Sequence, residues 1–195
     1  MKYLEGPRIK LCKFDERSII PEYIAWLNDP EVNKFLDTGR FPISANEVFA
    51  PKDEKNLMFM IKADFYVEDI GGKEIMDKDY NKYIGTCSLH KIDWITRKGE
   101  IGYMIGNKQY WGHGVATEVI ELLTDYAFNR LNLNKLIAGV VGGNIGSITA
   151  LERNGYKEFA KFEQDHFVDG KFINTWKFHN FQEWWHNLKK EVEIK

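Results

Sequence analysis

The segment QYWGHGVATE (109–118) carries the residue pattern with the most chemical content in this chain. Gly112 and Gly114 flank His113, directly after two bulky aromatic residues and before a run with helical spacing. Glycine lets a ligand approach the backbone closely, and the unpaired N–H groups at a helix N-terminus attract anions. A glycine loop between a strand and a helix therefore predicts a phosphate-binding site.

Two common nucleotide-binding motifs do not fit this loop. A mononucleotide loop would place Lys and then Ser or Thr after the last glycine, where this chain has Val115 and Ala116. A dinucleotide fingerprint would place a small residue at Thr117 and an acidic residue at a strand end about 20 residues further on. The later GGNIGS (142–147) is an alternative loop, but it follows the penultimate α/β unit. A tight turn that binds no ligand also stays open.

Strands and helices alternate around the loop. The patterns predict strands over 8–14, 56–67, 83–92, 99–106 and 135–141, and a hairpin over 158–178 that turns at Asp169-Gly170. Helical patterns lie around Ile20, Ile24 and Leu27, from Asp29 onward, over 115–133, over 147–156 and over 181–190, with GGNIGS as a loop. This order predicts an α/β fold with a mixed sheet.

The segment EDIGGKEIMDKDYNK (68–82) is charged and punctuated by glycines. We interpret it as a solvated hairpin extension, because such composition is typical of exposed connections. The alternative is a loop that reaches over a binding site, since loops often carry function.

Composition excludes several classes of protein. The chain has 195 residues, enough for one domain with a full core, and 44% of them are hydrophobic. Its 29 acidic and 27 basic residues give no basic field for nucleic acid or anionic membranes. Two cysteines and five scattered histidines form neither a disulfide framework nor a metal-ligand pattern. With no signal peptide or membrane-length apolar run, we expect a soluble cytoplasmic protein without a metal.

Four motifs in order resemble one family. Gln109-x-x-Gly112-x-Gly114 resembles the pyrophosphate loop of the GNAT superfamily of acyl-CoA-dependent N-acyltransferases. The family pattern around the loop has its counterparts in EIGY (100–103) and ATE (116–118), and then in Asn144, Ser147 and Gly155-Tyr156. WLNDPEVNKFL (26–36) is similar to the branch with ribosomal-protein alanine N-acetyltransferases and sugar-amine acetyltransferases. The resemblance covers most of residues 8–178.

The resemblance implies the architecture. It implies a single-domain GNAT fold of the α/β (α+β) class over residues 1–178, with a hairpin insertion at about 68–82 and a helical tail over 179–195. The mixed central sheet would be flanked by helices and splay apart between two central parallel strands, 100–105 and 135–141.

The resemblance also implies how acetyl-CoA binds as co-substrate. Backbone N–H groups of the loop would hold the pyrophosphate; these belong to Gly112, His113, Gly114, Val115 and Ala116, and Gln109 opens the same motif. The pantetheine arm would lie between the splayed strands, bonded to Met104 and Ile105, with Asn144 on its other side. The His113 side chain is expected to point to solvent or to the nucleotide.

The chemistry needs a proton acceptor and a group for the departing thiolate. An amine with a pKa near ~10 must lose a proton before it attacks a thioester. Glu100 aligns with a glutamate base of the family; the alternative is that Glu100 pairs with a neighbouring base and shapes the pocket. An N–H near Met104 would hold the oxyanion. Leu151 stands where many relatives have a proton-donating tyrosine, and Ser147 is either the donor in its place or a helix cap.

We therefore expect an acetyl-CoA-dependent N-acetyltransferase that acts by direct attack on a small primary amine. Protein N-terminal acetylation, a non-catalytic acyl-CoA-binding regulatory domain and a dinucleotide oxidoreductase are the alternatives. The chain would be a monomer or homodimer, with no nucleic-acid or membrane partner. The acceptor mouth is expected from aromatic and acidic side chains of the early helices and late hairpin: Trp26, Asn28, Asp29, Glu31, Phe35, Phe167 and Trp176.

Overall fold

The computed structural model describes residues 3–14, 21–36, 41–44, 55–68 and 72–193. Its strands are β1 (Tyr3–Glu5), β2 (Ile9–Lys13), β3 (Leu57–Ala63), β4 (Phe65–Val67), β5 (Glu74–Met76), β6 (Lys82–Asp93), β7 (Lys98–Ile105), β8 (Lys135–Val141), β9 (Lys157–Val168) and β10 (Lys171–Phe181). Its α-helices are α1 (Pro21–Asn28), α2 (Pro30–Asn33), α3 (Val115–Asp125), α4 (Ile145–Arg153) and α5 (Gln182–Glu193).

Eight strands form one mixed sheet in the order β1-β2-β3-β6-β7-β8-β10-β9. Neighbouring strands pair antiparallel except β7 and β8, which are parallel. Strands β4 and β5 form a separate two-stranded hairpin. The expected α/β fold with a mixed sheet is confirmed.

The parallel strands β7 and β8 form a fork. Their pairing begins at Lys98 and Lys135 and ends at Glu100 and Ile137. Beyond that point β7 pairs with β6 alone and β8 with β10 alone. The expected splay between the two central strands is confirmed, and its apex lies at Glu100.

The two sheet faces carry separate hydrophobic clusters. Alternation on β8 buries Leu136, Ala138 and Val140 in the larger cluster, which α3 and α5 cover. Each large aliphatic side chain buried there stabilises the fold by about 1.5–3 kcal/mol. On the opposite face α1 and α2 cover a smaller cluster that includes Met60 and Met104. The fork is therefore held rigidly from both sides.

Turn and cap chemistry fixes several predicted boundaries. Asp29 caps α2 by accepting the N–H groups of Glu31 and Val32, with Pro30 at the first helical position. Asp169 and Gly170 both have positive φ, as a two-residue hairpin turn between twisted strands requires. Ile20, expected in the first helix, lies outside the described residues.

Other boundaries differ from the sequence prediction. The loop predicted over GGNIGS ends early, because the Asn144 side chain accepts the Ser147 N–H and starts α4 at Ile145. The helix predicted over 115–133 continues after Asp125 as a π-helical turn, Tyr126–Arg130. The helical tail expected from residue 179 begins at Gln182, since β10 runs on to Phe181, and Trp185 anchors it in the main core.

In the part of the chain that the structure describes, no helix is long and apolar enough to cross a membrane.

Candidate active site

A cavity of about 710 Å³ lies beside the open end of the fork. Its lining includes eight of the eleven expected site residues: Met104, Ile105, Gly112, Gly114, Val115, Ala116, Asn144 and Ser147. The other three expected residues are not among the described residues that line the cavity; they are Glu100, Gln109 and His113. Most of the expected site residues therefore line one continuous cavity.

Two helix N-termini face this cavity. The first residues of α3 (Val115, Ala116) and of α4 (Ile145, Ser147) line it. The first N–H groups of a helix have no partner within the helix, and each helix dipole adds positive potential at that end. The convergence of two such ends gives the cavity the electrostatic character expected of an anion-binding site.

The backbone of the glycine loop is in a conformation that suits glycine. Gly112 has φ 81° and Gly114 has φ 74°, both in the left-handed region. A Cβ on Gly112 would meet nothing within 4 Å, so backbone conformation and open space for a ligand explain the glycine better than packing does. Gln109 lies just before the loop in a single turn, where its N–H donates to Asn107.

The loop is braced from behind by Arg8. Its Nη1 atom donates to the His113 carbonyl at 2.9 Å and to Glu74 Oε2 at 3.0 Å, and its Nε atom donates to Glu118 Oε2 at 3.1 Å. Glu118 is buried and also accepts the Arg8 and Ile9 backbone N–H groups. One guanidinium thus joins β2, the loop, α3 and the β4–β5 hairpin.

The expected orientation of His113 is wrong. Its Nδ1 atom lies 2.9 Å from Glu74 Oε1, and its side chain is 22% exposed, so it faces the hairpin rather than solvent or the cavity. Partial burial acts to raise the pKa of Glu74, but bonds from His113 and Arg8 outweigh it and lower that pKa below its usual value. The 68–82 extension therefore supports the loop, and its described residues do not line the cavity.

One backbone acceptor in the fork already has a donor. The indole Nε1 of Trp111 donates to the Ile105 carbonyl at 2.7 Å. A carbonyl oxygen has two lone pairs, so a second donor can share it. Trp111 itself is 39% exposed and lines the cavity, which makes it a further candidate for contact with a bound arm.

Tyr103 and Ser147 join the two sides of the cavity. The Tyr103 hydroxyl lies 2.6 Å from Ser147 Oγ, and burial raises the pKa of Tyr103 to about 12 despite that bond. Leu151, at the position where the family has a tyrosine, is fully buried in the core. Sequence reasoning used Tyr103 only as part of the EIGY motif and missed it as a site residue.

Glu100 sits at the apex of the fork among basic side chains. Lys91 Nζ lies 3.0 Å and His90 Nε2 3.6 Å from its Oε2 atom. His90, then Lys91 and Lys177, lower the pKa of Glu100 to about 2 against the opposing effect of burial. Such a carboxylate is a weak base, which favours the interpretation that Glu100 pairs with neighbouring bases and shapes the pocket.

The expected acceptor mouth is only partly assembled. Glu31 and Phe35 line the cavity, but Glu31 and Asp29 share the ammonium of Lys108 at 2.6 and 2.9 Å. The Trp26 ring occupies the space above Gly106, where a Cβ would lie 2.0 Å from it. Phe167 pairs with Phe172 at the exposed tip of the late hairpin.

Among the residues that the structure describes, no group of three or more His, Cys, Asp or Glu side chains could hold a metal ion.

The family model for the acetyltransferase (GNAT) domain matches residues 8–157. The chain belongs to the GNAT acetyltransferase family. It is an N-acetyltransferase, and GNAT acetyltransferases use acetyl-CoA.

Individual relatives agree with this assignment. The chain is 28% identical over 177 residues, 90% of its length and 93% of the relative's, to an uncharacterized N-acetyltransferase, p20, of Bacillus licheniformis. It is 36% identical over 109 residues, 56% of its length and 55% of the relative's, to a provisionally named ribosomal N-acetyltransferase, YdaF, of Bacillus subtilis. Its fold matches a crystal structure of Vibrio cholerae spermidine N-acetyltransferase with CoA and spermine, with a TM-score of 0.76, 19% identity and coverage of 93% and 100% of the two chains.

Proposed function

We propose that this GNAT acetyltransferase transfers an acetyl group from acetyl-CoA to a small primary amine by direct attack in a ternary complex. The observation that carries the proposal is the cavity into which two helix N-termini and an open strand fork converge. Each feature matches one part of an extended anionic thioester.

The pyrophosphate would bind the glycine loop. Gly112, Gly114, Val115 and Ala116 line the cavity at the N-terminus of α3, so their backbone N–H groups are the proposed donors. A charge near a helix N-terminus gains about 0.3–1 kcal/mol from the dipole alone, and more when partly buried. Arg8 holds the loop in this conformation through the His113 carbonyl.

The pantetheine arm would lie in the fork, beside Met104 and Ile105 on β7. Backbone groups on the open sides of β7 and β8 lack a neighbouring strand beyond Glu100, and buried backbone groups require partners. Asn144 lies across the cavity from β7, although its side chain is committed to the cap of α4. The acyl end of the arm would then reach the apex of the fork.

The Tyr103–Ser147 pair is proposed to receive the departing thiolate. Thiols have a pKa near 8.5 and the pKa of Tyr103 is about 12, so full transfer of the tyrosine proton would cost about 5 kcal/mol. A hydrogen bond from Ser147, held in place by Tyr103, stabilises the thiolate without that cost. We therefore propose that this pair stabilises the departing thiolate by donating hydrogen bonds to it.

A small acceptor is favoured by a bond across the acceptor side. Lys34, just after α2, lies 2.7 Å from Asp169 in the turn of the late hairpin, so the two walls of the mouth are tied together. A peptide needs a longer open groove than a small amine does, and a bond across the mouth works against such a groove. The solved Vibrio cholerae enzyme with spermine supports a polyamine-like acceptor, and an amino sugar fits the same description.

Acetylation of a protein N-terminus is the second candidate. Over about half of its length this chain is 36% identical to the provisionally named ribosomal enzyme of Bacillus subtilis, and this similarity favours the second candidate.

The test compares free amines with peptides at one acetyl-CoA concentration. We would follow thiol release with spermidine, glucosamine and peptides that begin with Ala or Ser, and confirm each product by mass. The proposal expects at least one small amine to exceed every peptide in kcat/KM. Peptides that exceed every small amine by about 100-fold, roughly 2.7 kcal/mol, would establish the second candidate instead. No transfer to any acceptor, with CoA still bound, would indicate a non-catalytic binding domain.

A further inference from the structure

A polar triad lies next to the apex of the fork. Ser88 Oγ is 3.2 Å from His90 Nδ1, and His90 Nε2 is 3.6 Å from Glu100 Oε2. His90 and Glu100 are direct cross-strand partners on β6 and β7. The GNAT motifs on which the sequence analysis rests include neither Ser88 nor His90.

Gly102 makes room for this triad. A Cβ on Gly102 would lie 3.2 Å from His90 Cε1 and 3.4 Å from Ser88 Oγ, so both side chains lie over the β7 backbone at this point. Strand alternation puts Glu100, Gly102 and Met104 on one face, and Met104 belongs to the cluster under α1 and α2. The triad thus faces the acceptor side, beside the place proposed for the thioester.

The charges around His90 fix which nitrogen is free to take a proton. The carboxylate of Glu100 faces Nε2 and favours the tautomer with hydrogen on that atom. Nδ1 then carries a lone pair, directed at Ser88. The Glu100 contact is too long for a hydrogen bond as it stands, but a positive imidazolium would attract the carboxylate more strongly.

Two further cations influence the triad. Lys91 Nζ lies 3.0 Å from Glu100, and Lys177 on β10, the strand next to β8, also acts on Glu100. The Glu100 carboxylate is thus held in its charged form by the basic groups around it. Glu100 is therefore better suited to hold a charged histidine than to accept the proton itself.

We propose that His90 is the base of the acetyl transfer, with Ser88 as a proton relay and Glu100 as a positioning residue. This inference rests on the proposed function. As the amine nitrogen bonds to the thioester carbon, its proton passes to Ser88 Oγ while the Ser88 proton moves to His90 Nδ1. The carbon–sulfur bond then breaks and sulfur leaves with the electron pair as the CoA thiolate.

The test combines three variants and one matched control. His90→Gln should lower kcat by about 100-fold or more and remove the acid limb of the pH profile of kcat, with CoA affinity unchanged within 2-fold. Ser88→Ala should lower kcat and keep the acid limb. Glu100→Gln should lower kcat and keep that limb, because the imidazolium loses its anion while the base remains. His186→Gln, an exposed histidine on α5 bonded to Asn129, should behave like the wild type.

Imidazole rescue separates a base from a structural histidine. Added imidazole should restore part of the activity of His90→Gly, which a purely structural role would not allow. The inference is overturned if His90→Gln keeps its rate and acid limb, or if Glu100→Gln alone abolishes that limb, which would make Glu100 the base. In both cases the wild-type enzyme would still acetylate amines, so the proposed function would stand. If the wild type acetylates no amine, the proposed function fails first.

Discussion

The Tyr103 hydroxyl and Ser147 Oγ lie 2.6 Å apart, which joins β7 to the start of α4 across the cavity. Tyr103 is a strand residue and Ser147 a helix residue 44 positions later. The pair therefore presents two hydroxyls to the cavity, whereas Leu151, at the family's tyrosine position, is buried in the core.

Tyr103→Phe tests the role of this pair. Loss of the phenol oxygen leaves Ser147 free to rotate, so kcat should fall by about 5–30-fold, corresponding to a hydrogen bond of about 1–2 kcal/mol. The kcat of Ser147→Ala should fall at least as far. The kcat of the double variant should fall no further than that of Ser147→Ala, since both residues act through one bond. Steady-state kinetics at saturating acetyl-CoA measures this, and additive losses would contradict it.

Substitution of the loop glycines should abolish CoA binding. In Gly112→Val and Gly114→Val a branched side chain meets a left-handed backbone and fills the space for the phosphates. Titration calorimetry with CoA measures the loss. Gly170→Val is the matched control, because Gly170 also has positive φ and open space around it but lies in the turn of the late hairpin. Normal affinity in a folded Gly112→Val protein would remove the basis for the proposed loop.

Loss of the Arg8 brace should weaken CoA binding without touching the chemistry. Arg8→Gln removes the donor to the His113 carbonyl and leaves Glu118 buried without its cation, so stability should fall by about 1–3 kcal/mol. The dissociation constant for CoA should rise several-fold while kcat at saturation stays near normal. Urea unfolding and calorimetry measure the two effects, and a change in kcat alone would argue against a bracing role.

The Glu74 contacts should make part of the stability depend on pH. The pKa of Glu74 is lowered in the folded protein, so its contribution is present above the usual value of 4.5 and is lost as pH falls through the lowered pKa. The difference in Tm between wild type and Glu74→Gln should therefore shrink in acid. Thermal melts at pH 7 and in acid measure it, and a constant difference would show that charge is not involved.

Position 106 should tolerate no side chain. A Cβ on Gly106 would lie 2.0 Å from the Trp26 ring, which also packs against Tyr83. Gly106→Ala should destabilise the fold by about 1–3 kcal/mol through overpacking. Trp26→Ala in the same background should recover part of that loss in urea unfolding. If the double variant is less stable by the sum of both changes, the clash is not its cause.

Local patterns predicted most of the fold. Strand β8 lies over 135–141 as expected, because its alternating apolar residues leave no other face to bury. The fork was implied by the resemblance to the GNAT family, whereas the glycine loop was predicted from glycines that precede a helical pattern. One boundary was missed where the Asn144 side chain caps a helix inside the segment predicted as a loop.

The site residues that were missed are defined by pairing between distant segments. Arg8 meets Glu118 across 110 positions, and Glu74 meets His113 across 39. The spacing of apolar residues along the chain gives no information about such pairs. His90 and Glu100 are closer in sequence, but only the register of β6 against β7 shows that they face each other.

The guanidinium of Arg8 and the imidazole of His113 both join the β4–β5 hairpin to the glycine loop. The conformational order of one segment is therefore thermodynamically coupled to that of the other. A ligand that tightens the loop must also tighten the hairpin, and by reciprocity whatever fixes the hairpin raises affinity for that ligand by the same factor. Amide exchange over 74–76 should consequently slow when CoA is added, although these residues lie outside the lining of the cavity. The insertion can then change the affinity for CoA from outside the cavity. Substitutions in it would alter CoA binding without altering any contact to the substrate.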